Sequence, residues 1–364
     1  MPAAAYRYFT TDALSGEVLA HDLPLSGVEF GPELNGPGAM RGLLAPRYAH
    51  LGPSQAEAGT VLLWAERDQR LLWGGLIWRA KPEDDELPLE AAGFGSYPGS
   101  RHDLHGNLNG RGPYAGVDPC RVIADTWAYL QEQPDGDLGV SVDLPPDGCP
   151  ARLGDAEHPY TIKEWETTPL SGPIRDATAL DNGPEWTETV AWVGQRPDRR
   201  ITVAWPRLGT RREDLLFASG INIARSTPIT SSADDYAQVI LALGAGEGSA
   251  RVRSVDAVRN GRLRLEYVLD RPSITDPTTL AQLARAERAS RQQTSQVDEI
   301  TVVDHPAAPI GSWAVGDDVQ VSIHDQWTSF DGWCRVTGWI LRPAEGDRPE
   351  TATLRLTRAY TTGA

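Results

Sequence analysis

The chain has 364 residues, a formal net charge of −16, an apolar fraction of 40% and 12 tryptophans. That length makes room for two or three domains of ordinary size, and the charge is the reverse of the basic patch with which a nucleic-acid binder neutralises phosphates. No apolar run reaches the ~18 residues of a membrane-spanning helix, and Met1-Pro2-Ala3-Ala4-Ala5-Tyr6-Arg7-Tyr8 lacks the basic-then-apolar order of a secretory signal. The expectation is a soluble protein made in a cytoplasm. Cys120, Cys149 and Cys334 lie far apart with no C-x-x-C pair, which points to buried free thiols and away from a disulfide framework or a zinc finger. Lys81 and Lys163 are the only lysines, so nearly all positive charge is arginine.

The first hundred residues read as strands. Tyr6 to Asp12 and Glu17 to His21 flank a turn at Leu14-Ser15-Gly16, and Gly27 to Leu34 runs into the turn signal Asn35-Gly36-Pro37-Gly38. Thr60 to Arg67 and Arg70 to Arg79 make a hairpin around Asp68-Gln69. Gly74-Gly75 inside its second strand marks a bulge or a close backbone approach. Gly93 to Gly116 is rich in Gly, Asn and Pro and reads as a long surface loop or arm.

Asp118 as N-cap and Pro119 at the first helical position open a helix with Val122, Ile123, Trp127 and Leu130 on one apolar stripe. Gly139 to Asp143 alternates like a strand, a second short helix is expected near Gly172 to Leu180, and Trp186 to Val193 pairs with Arg200 to Trp205. From Ile221 the pattern is β again: Val239 to Leu243, Arg251 to Val258, Leu263 to Leu269, Glu299 to Val303, Val319 to Ile323, Cys334 to Leu341 and Thr353 to Leu356. Asp276-Pro277 repeats the cap-plus-proline signal and opens a helix to about Gln293. The expected fold class is α+β and β-rich. The segments are 1–97, a first β domain; 98–225, an α+β middle region with a long loop; and 226–364, a second β-rich domain with one helix.

Four features bear on chemistry. Gly244-Ala245-Gly246-Glu247-Gly248 follows an apolar strand, but a strand and not a helix continues from it, so a turn is expected where a dinucleotide site would need a helix N-terminus. His102-Asp103-Leu104-His105 lacks a third distant metal ligand and reads as a solvated loop. Glu83-Asp84-Asp85-Glu86 lacks the alternating spacing and glycine of a calcium loop and reads as a solvated turn. Trp64, Trp73 and Trp78 on paired strands, with Trp327, Trp333 and Trp339 near the end, suit cores first and subunit contacts second, with carbohydrate platforms a remote third. No catalytic, cofactor-binding or metal-binding residues are nominated, and no enzyme activity is expected.

Four sets of motifs lie in order along nearly the whole chain: Val28-Glu29-Phe30 with Leu34-Asn35-Gly36-Pro37-Gly38 and Arg70-Leu71-Leu72-Trp73-Gly74-Gly75-Leu76-Ile77; Asp118-Pro119 with Ala124-Asp125 and Leu130-Gln131; Gly183-Pro184-Glu185-Trp186 with Leu208-Gly209-Thr210 and Gly220-Ile221-Asn222-Ile223; and Gly316-Asp317-Asp318-Val319 with Arg335-Val336 and Leu354-Arg355-Leu356. These stretches resemble the tail-tip or baseplate hub family of tailed phages, especially minor tail proteins of actinobacterial siphophages. The resemblance implies two tube-like β-barrel or sandwich domains per chain around the α+β middle region, and trimers whose six such domains match a sixfold tail tube. It also implies a place at the virion tail tip after assembly in the host cytoplasm. Its partners would be further copies, distal tail and tape-measure proteins, and tip fibres or receptor-binding proteins. DNA would pass without specific binding, and an acidic lumen would repel its phosphates. With the chain ending at Ala364, soon after its last strand, the lytic extension of some relatives is not expected. The alternatives are a distal tail ring or receptor-binding adaptor, the hub of a contractile injection system, and a cell-wall glycan hydrolase, for which no carboxylate pair presents itself.

Overall fold

The computed structural model describes residues 4–45, 53–82, 86–180, 182–226, 230, 231, 233, 236–272, 274–292, 295–324, 326 and 329–359. Its strands are β1 (Tyr6–Asp12), β2 (Val18–Ala20), β3 (Leu25–Glu33), β4 (Gly36–Leu44), β5 (Val61–Arg67), β6 (Arg70–Ala80) and β7 (Leu87–Ala92). The middle of the chain adds β8 (Val140–Asp143), β9 (Glu185–Val193), β10 (Arg196–Ala204), β11 (Arg211–Ala218) and β12 (Ile223–Ser226). Then come β13 (Thr230–Ser231), β14 (Val239–Leu243), β15 (Arg253–Ala257), β16 (Glu266–Asp270), β17 (Ser295–Gln296), β18 (Glu299–Val302), β19 (Asp318–His324), β20 (Ser329–Arg342) and β21 (Thr351–Arg358).

One 13-stranded sheet runs β12-β18-β21-β20-β3-β4-β7-β6-β5-β1-β2, and β19 with β11 branches from β20. Early and late strands therefore join through β3 and β20, where Gly338 faces Glu33 and Leu341 faces Phe30. Among the described residues the sheets stay open and do not close into a barrel. The fold is β-rich with few helices, as the strand-dominated pattern implies.

Strand alternation sorts side chains into two cores. Along β5, Val61, Leu63 and Ala65 enter one core, while Leu62 and Trp64 enter the other. A strand buried on both faces reads as an unbroken apolar run, which is what Val61-Leu62-Leu63-Trp64-Ala65 is. The first core is completed by β18 to β21, through Ile300, Val321, Val336 and Leu354. The second is filled by the middle region: the helix Pro119–Glu132 gives Val122, Ile123, Trp127 and Leu130, and the helix Ser171–Thr178 gives Ile174 and Ala177. A third, small core lies between β14 to β16 and the helix Pro277–Ser290, around Ile240, Ala242, Leu269, Leu280 and Ala284.

Local chemistry fixes the junctions. Asp68 and Gln69 both take positive φ, 50° and 66°, as a two-residue hairpin of primed type demands. The Trp64 ring lies on Gly74, where a Cβ would come within 2.4 Å of it. The Asp118 carboxylate accepts from the backbone N–H of Cys120 at 2.8 Å and of Cys149 at 3.0 Å, so the helix cap also ties down a loop.

Three expectations need correction. The Asn35-to-Gly38 turn is only Leu34-Asn35, and Gly36 already begins β4, because a Cβ-free Gly38 lets β4 approach the Gly31 carbonyl to a distance no side chain would permit. The stretch 93–116 is not a loose arm: Phe94, Leu108 and Tyr114 are buried in the second core, and Tyr114 pairs with Tyr160 as a single β-bridge. The second long helix stops at Ser290, short of Gln293.

Candidate assembly surfaces

The motifs singled out as chemistry resolve into local structure. Gly244 to Gly248 leaves β14 and leads through a short turn of helix, Gly248–Ala250, into antiparallel β15. Asp103 is buried, unlike the solvated loop expected, and organises the chain around it. Its carboxylate accepts from the N–H groups of His105 at 3.0 Å, Gly106 at 3.1 Å and Leu108 at 2.8 Å, while His102 and His105 face solvent. Glu83, Asp84 and Asp85 lie outside the described residues, as does Trp327. Among the described residues no group of three His, Cys, Asp or Glu is placed to hold a metal, and no helix is long and apolar enough to cross a membrane. The three thiols are free and buried, and burial pushes Cys334 up to about 12.

Parts of several stretches that carried the resemblance, those holding Asn35, Glu185-Trp186, Leu208 to Thr210, Gly316-Asp317 and Arg335, meet instead at one junction. Asn35 and Trp186 exchange hydrogen bonds, the Asn35 carbonyl oxygen of the side chain accepting at 2.8 Å and its backbone N–H donating at 2.9 Å. Glu185 accepts from Leu208 N–H at 2.8 Å and from the Arg335 guanidinium at 2.7 Å, through a second Arg335 nitrogen as well. Gly209 and Gly316 meet backbone to backbone, so closely that a Cβ on Gly209 would sit 2.1 Å from the Gly316 carbonyl carbon. Beside them Asp317 accepts from Thr210 N–H at 2.9 Å. Turn glycines and one forked ion pair thus weld the middle region to the last strands. A second weld joins β5 to the turn before β21: Arg67 donates to Glu350 at 2.8 and 3.0 Å, and the carboxylates around it raise its pKa further.

Glu188 on β9 is a different case. The residue is half-buried, yet its carboxyl end is enclosed against Gly93, Gly95 and Gly38, accepting from the Gly95 N–H. Desolvation pushes it up to about 8, and the hydrogen bonds from the Gly95 and Gly38 backbone oppose that rise only in part.

The outside of the molecule is uneven. Of the tryptophans expected to share core and contact roles, Trp64 and Trp73 are buried, as are Trp127, Trp186 and Trp313 elsewhere in the chain. Trp339 is half-buried on Phe30, and Trp333 lies 3.8 Å under the Arg211 guanidinium. Trp165, on the short turn Glu164–Glu166, is 70% exposed and was not among the residues singled out in sequence. The sheet β15-β14-β16 covers one face with the helix Pro277–Ser290, burying Ile240, Ala242 and Leu269. On its other face Val255, Leu241 and Val268 stand in one cross-strand row, with Val255 60% and Val268 53% exposed. In sequence Leu241 is simply part of the strand Val239 to Leu243. Its alternation with Ile240 and Ala242 is the signal that a second apolar face exists.

Three solved structures match this chain over nearly the full length of both partners. They are the 43 kDa tail protein of prophage MuSo2 from Shewanella oneidensis (TM-score 0.55, 11% identity, 97% of this chain and 98% of that one), a prophage tail protein gp18 from Listeria monocytogenes EGD-e (0.55, 8%, 96% and 94%) and a tail protein from Neisseria meningitidis MC58 (0.53, 13%, 96% and 96%). The chain shares the fold of prophage tail proteins. At these identities the likeness is one of fold. No family model matches the sequence, and no curated protein matches it either.

Proposed function

We propose that this chain is a structural, non-enzymatic subunit of a phage tail tip, a hub or baseplate component that joins the tail tube to the tip and its fibres. The observation that carries the reading is the extent of the fold match, which takes in all but a few per cent of this chain and of each of the three tail proteins. Two features support it. Several of the motifs that resemble the family, through Glu185, Leu208, Thr210, Asp317 and Arg335, form the junction between the middle region and the last strands, which gives them a structural task. Among the described residues the row of Val255, Leu241 and Val268 leaves apolar surface exposed, as subunits of obligate assemblies do. In this reading the copies form a trimer around the DNA path, with carboxylates of the −16 chain turned to the lumen to keep phosphates from adhering. The division at 97/98 and 225/226 belongs to the same proposal, with the first and last segments joined in one sheet.

Native mass spectrometry and electron microscopy of the assembled protein test it. A closed ring of three copies with an acidic bore is the expected result. A ring of six would make it a distal tail component, and a monomer that turns over a glycan would overturn the reading.

A further inference from the structure

The sheet face opposite Phe30, Met40, Ile77 and Ala91 of the first core carries a ladder of alternating charge. Arg79 pairs with Glu90 at 3.2 Å, Arg41 with Glu29 at 2.5 Å, and Glu29 again with Arg342 at 3.1 Å. The pairings Arg41 with Glu90 and Glu29 with Arg41 place these side chains in one line across β7, β4 and β3. On one side of the ladder lies a groove of about 420 Å³, with Gly31, Ala39 and Ala92 along it and both Trp78 and Trp339 in its lining. On the other side a depression of about 430 Å³ shares Glu29, Arg41 and Glu90. Trp78 is 36% exposed, and its ring is held by an Nε1–H donated to Ser96 Oγ at 2.7 Å.

We propose that this groove binds a neutral, linear oligosaccharide, a function beyond the tail role and independent of it. Sugar rings present apolar C–H faces edged by hydroxyls that both donate and accept. Indole surfaces suit the first, and carboxylates alternating with guanidiniums suit the second. Ala39 and Ala92 are small and leave space for a flat ring, while Gly31 lets Trp339 close down on the strand beside them. From β6 to β20 the sheet crosses four inter-strand gaps, about 19 Å, enough for several sugar units. The ladder's charges nearly cancel and the whole chain is acidic, so nothing in the groove favours a polyanion.

The test uses the full chain with chitotetraose and cellotetraose as probes, read by saturation-transfer NMR and calorimetry. Saturable binding with a Kd of about 0.1–1 mM is expected for at least one probe, unchanged when salt is raised. Trp78→Ala removes one indole. Ala39→Tyr fills the groove from an exposed position with the core untouched. Each is expected to weaken binding at least about tenfold, with the thermal midpoint of Ala39→Tyr unmoved. Should Trp78→Ala disturb folding, Ala39→Tyr alone decides. The proposal is overturned if neither sugar binds saturably, if Ala39→Tyr leaves binding intact, or if heparin outcompetes both probes in a salt-sensitive manner.

Discussion

The large sheet with its two cores and the small module of β14 to β16 solve the same problem in different ways. In the large body a strand such as β5 is buried on both faces, because the middle region covers the side that the late strands do not. In the small module one helix covers one face, and the opposite face keeps Val255 and Val268 in water. Among the described residues the module has a core of six small-to-medium side chains and an apolar face left exposed at Val255 and Val268. Stability is therefore concentrated in the first region and unfinished business in the second, and substitutions of comparable size should act very differently in the two.

The largest effect is expected at Trp64. Its ring is fully buried, stacks near Phe9, lies over Gly74 and donates from Nε1 to Thr11 Oγ1 at 3.0 Å. Trp64→Ala should lower unfolding free energy by about 3–5 kcal/mol, measured by chemical denaturation. A loss below about 1 kcal/mol would show that β5 is not the shared wall of the cores.

Next in size is a pH effect at the seam where β9 meets β4 and the turn after β7. A carboxyl held up to about 8 in the folded chain, against an ordinary 4.5, keeps its proton across that interval. Folding then takes up a proton, so the Glu188 contribution is whole below pH 4.5 and is lost as pH rises through 8. The wild-type chain should lose roughly 2–5 kcal/mol between those limits from this group alone. Glu188→Gln should flatten that slope in melts taken from pH 5 to 8. Equal slopes in the two proteins would mean that the carboxyl is solvated.

The contrast between the regions was partly legible in sequence. Continuous apolar runs, cap-plus-proline pairs and the Asp68-Gln69 turn announce β5, both long helices and the β5–β6 hairpin, because each depends on residues close together in the chain. The packing of 93–116 was hidden, since Phe94, Leu108 and Tyr114 show no period and find their partners up to dozens of residues away. β4 was masked by glycines that mimic a turn but serve close strand contact. Glu185 and Arg335 stand in the quoted motifs, yet nothing local says that they pair across 150 positions. The groove beside Trp78 and Trp339 depends on the β3–β20 pairing and was equally out of reach.

A smaller effect is expected within the module. Asp276 caps its helix by accepting from Thr279 N–H at 2.8 Å. Asp276→Ala should cost about 1 kcal/mol, seen as faster amide exchange in 277–290 with exchange in β5 unaltered. If β5 exchanged faster too, the module and the large body would unfold as one unit and the contrast would fail.

The smallest effect on the lone chain is expected where the effect on assembly is greatest. Val255 and Val268 flank Leu241 on the open face and touch solvent, so Val255→Asp and Val268→Asp should each change the stability of the dilute chain by no more than about 0.5 kcal/mol. Placing a carboxylate in a contact that must be dry leaves an unpaired charge in the assembled state, a far larger penalty there. Sedimentation at rising protein concentration should then show the wild-type chain associating and the double variant remaining monomeric, with matching melts at low concentration. If both variants assemble like the wild type, the row is ordinary exposed surface, and the subunit contacts must be sought elsewhere, beginning with Trp165.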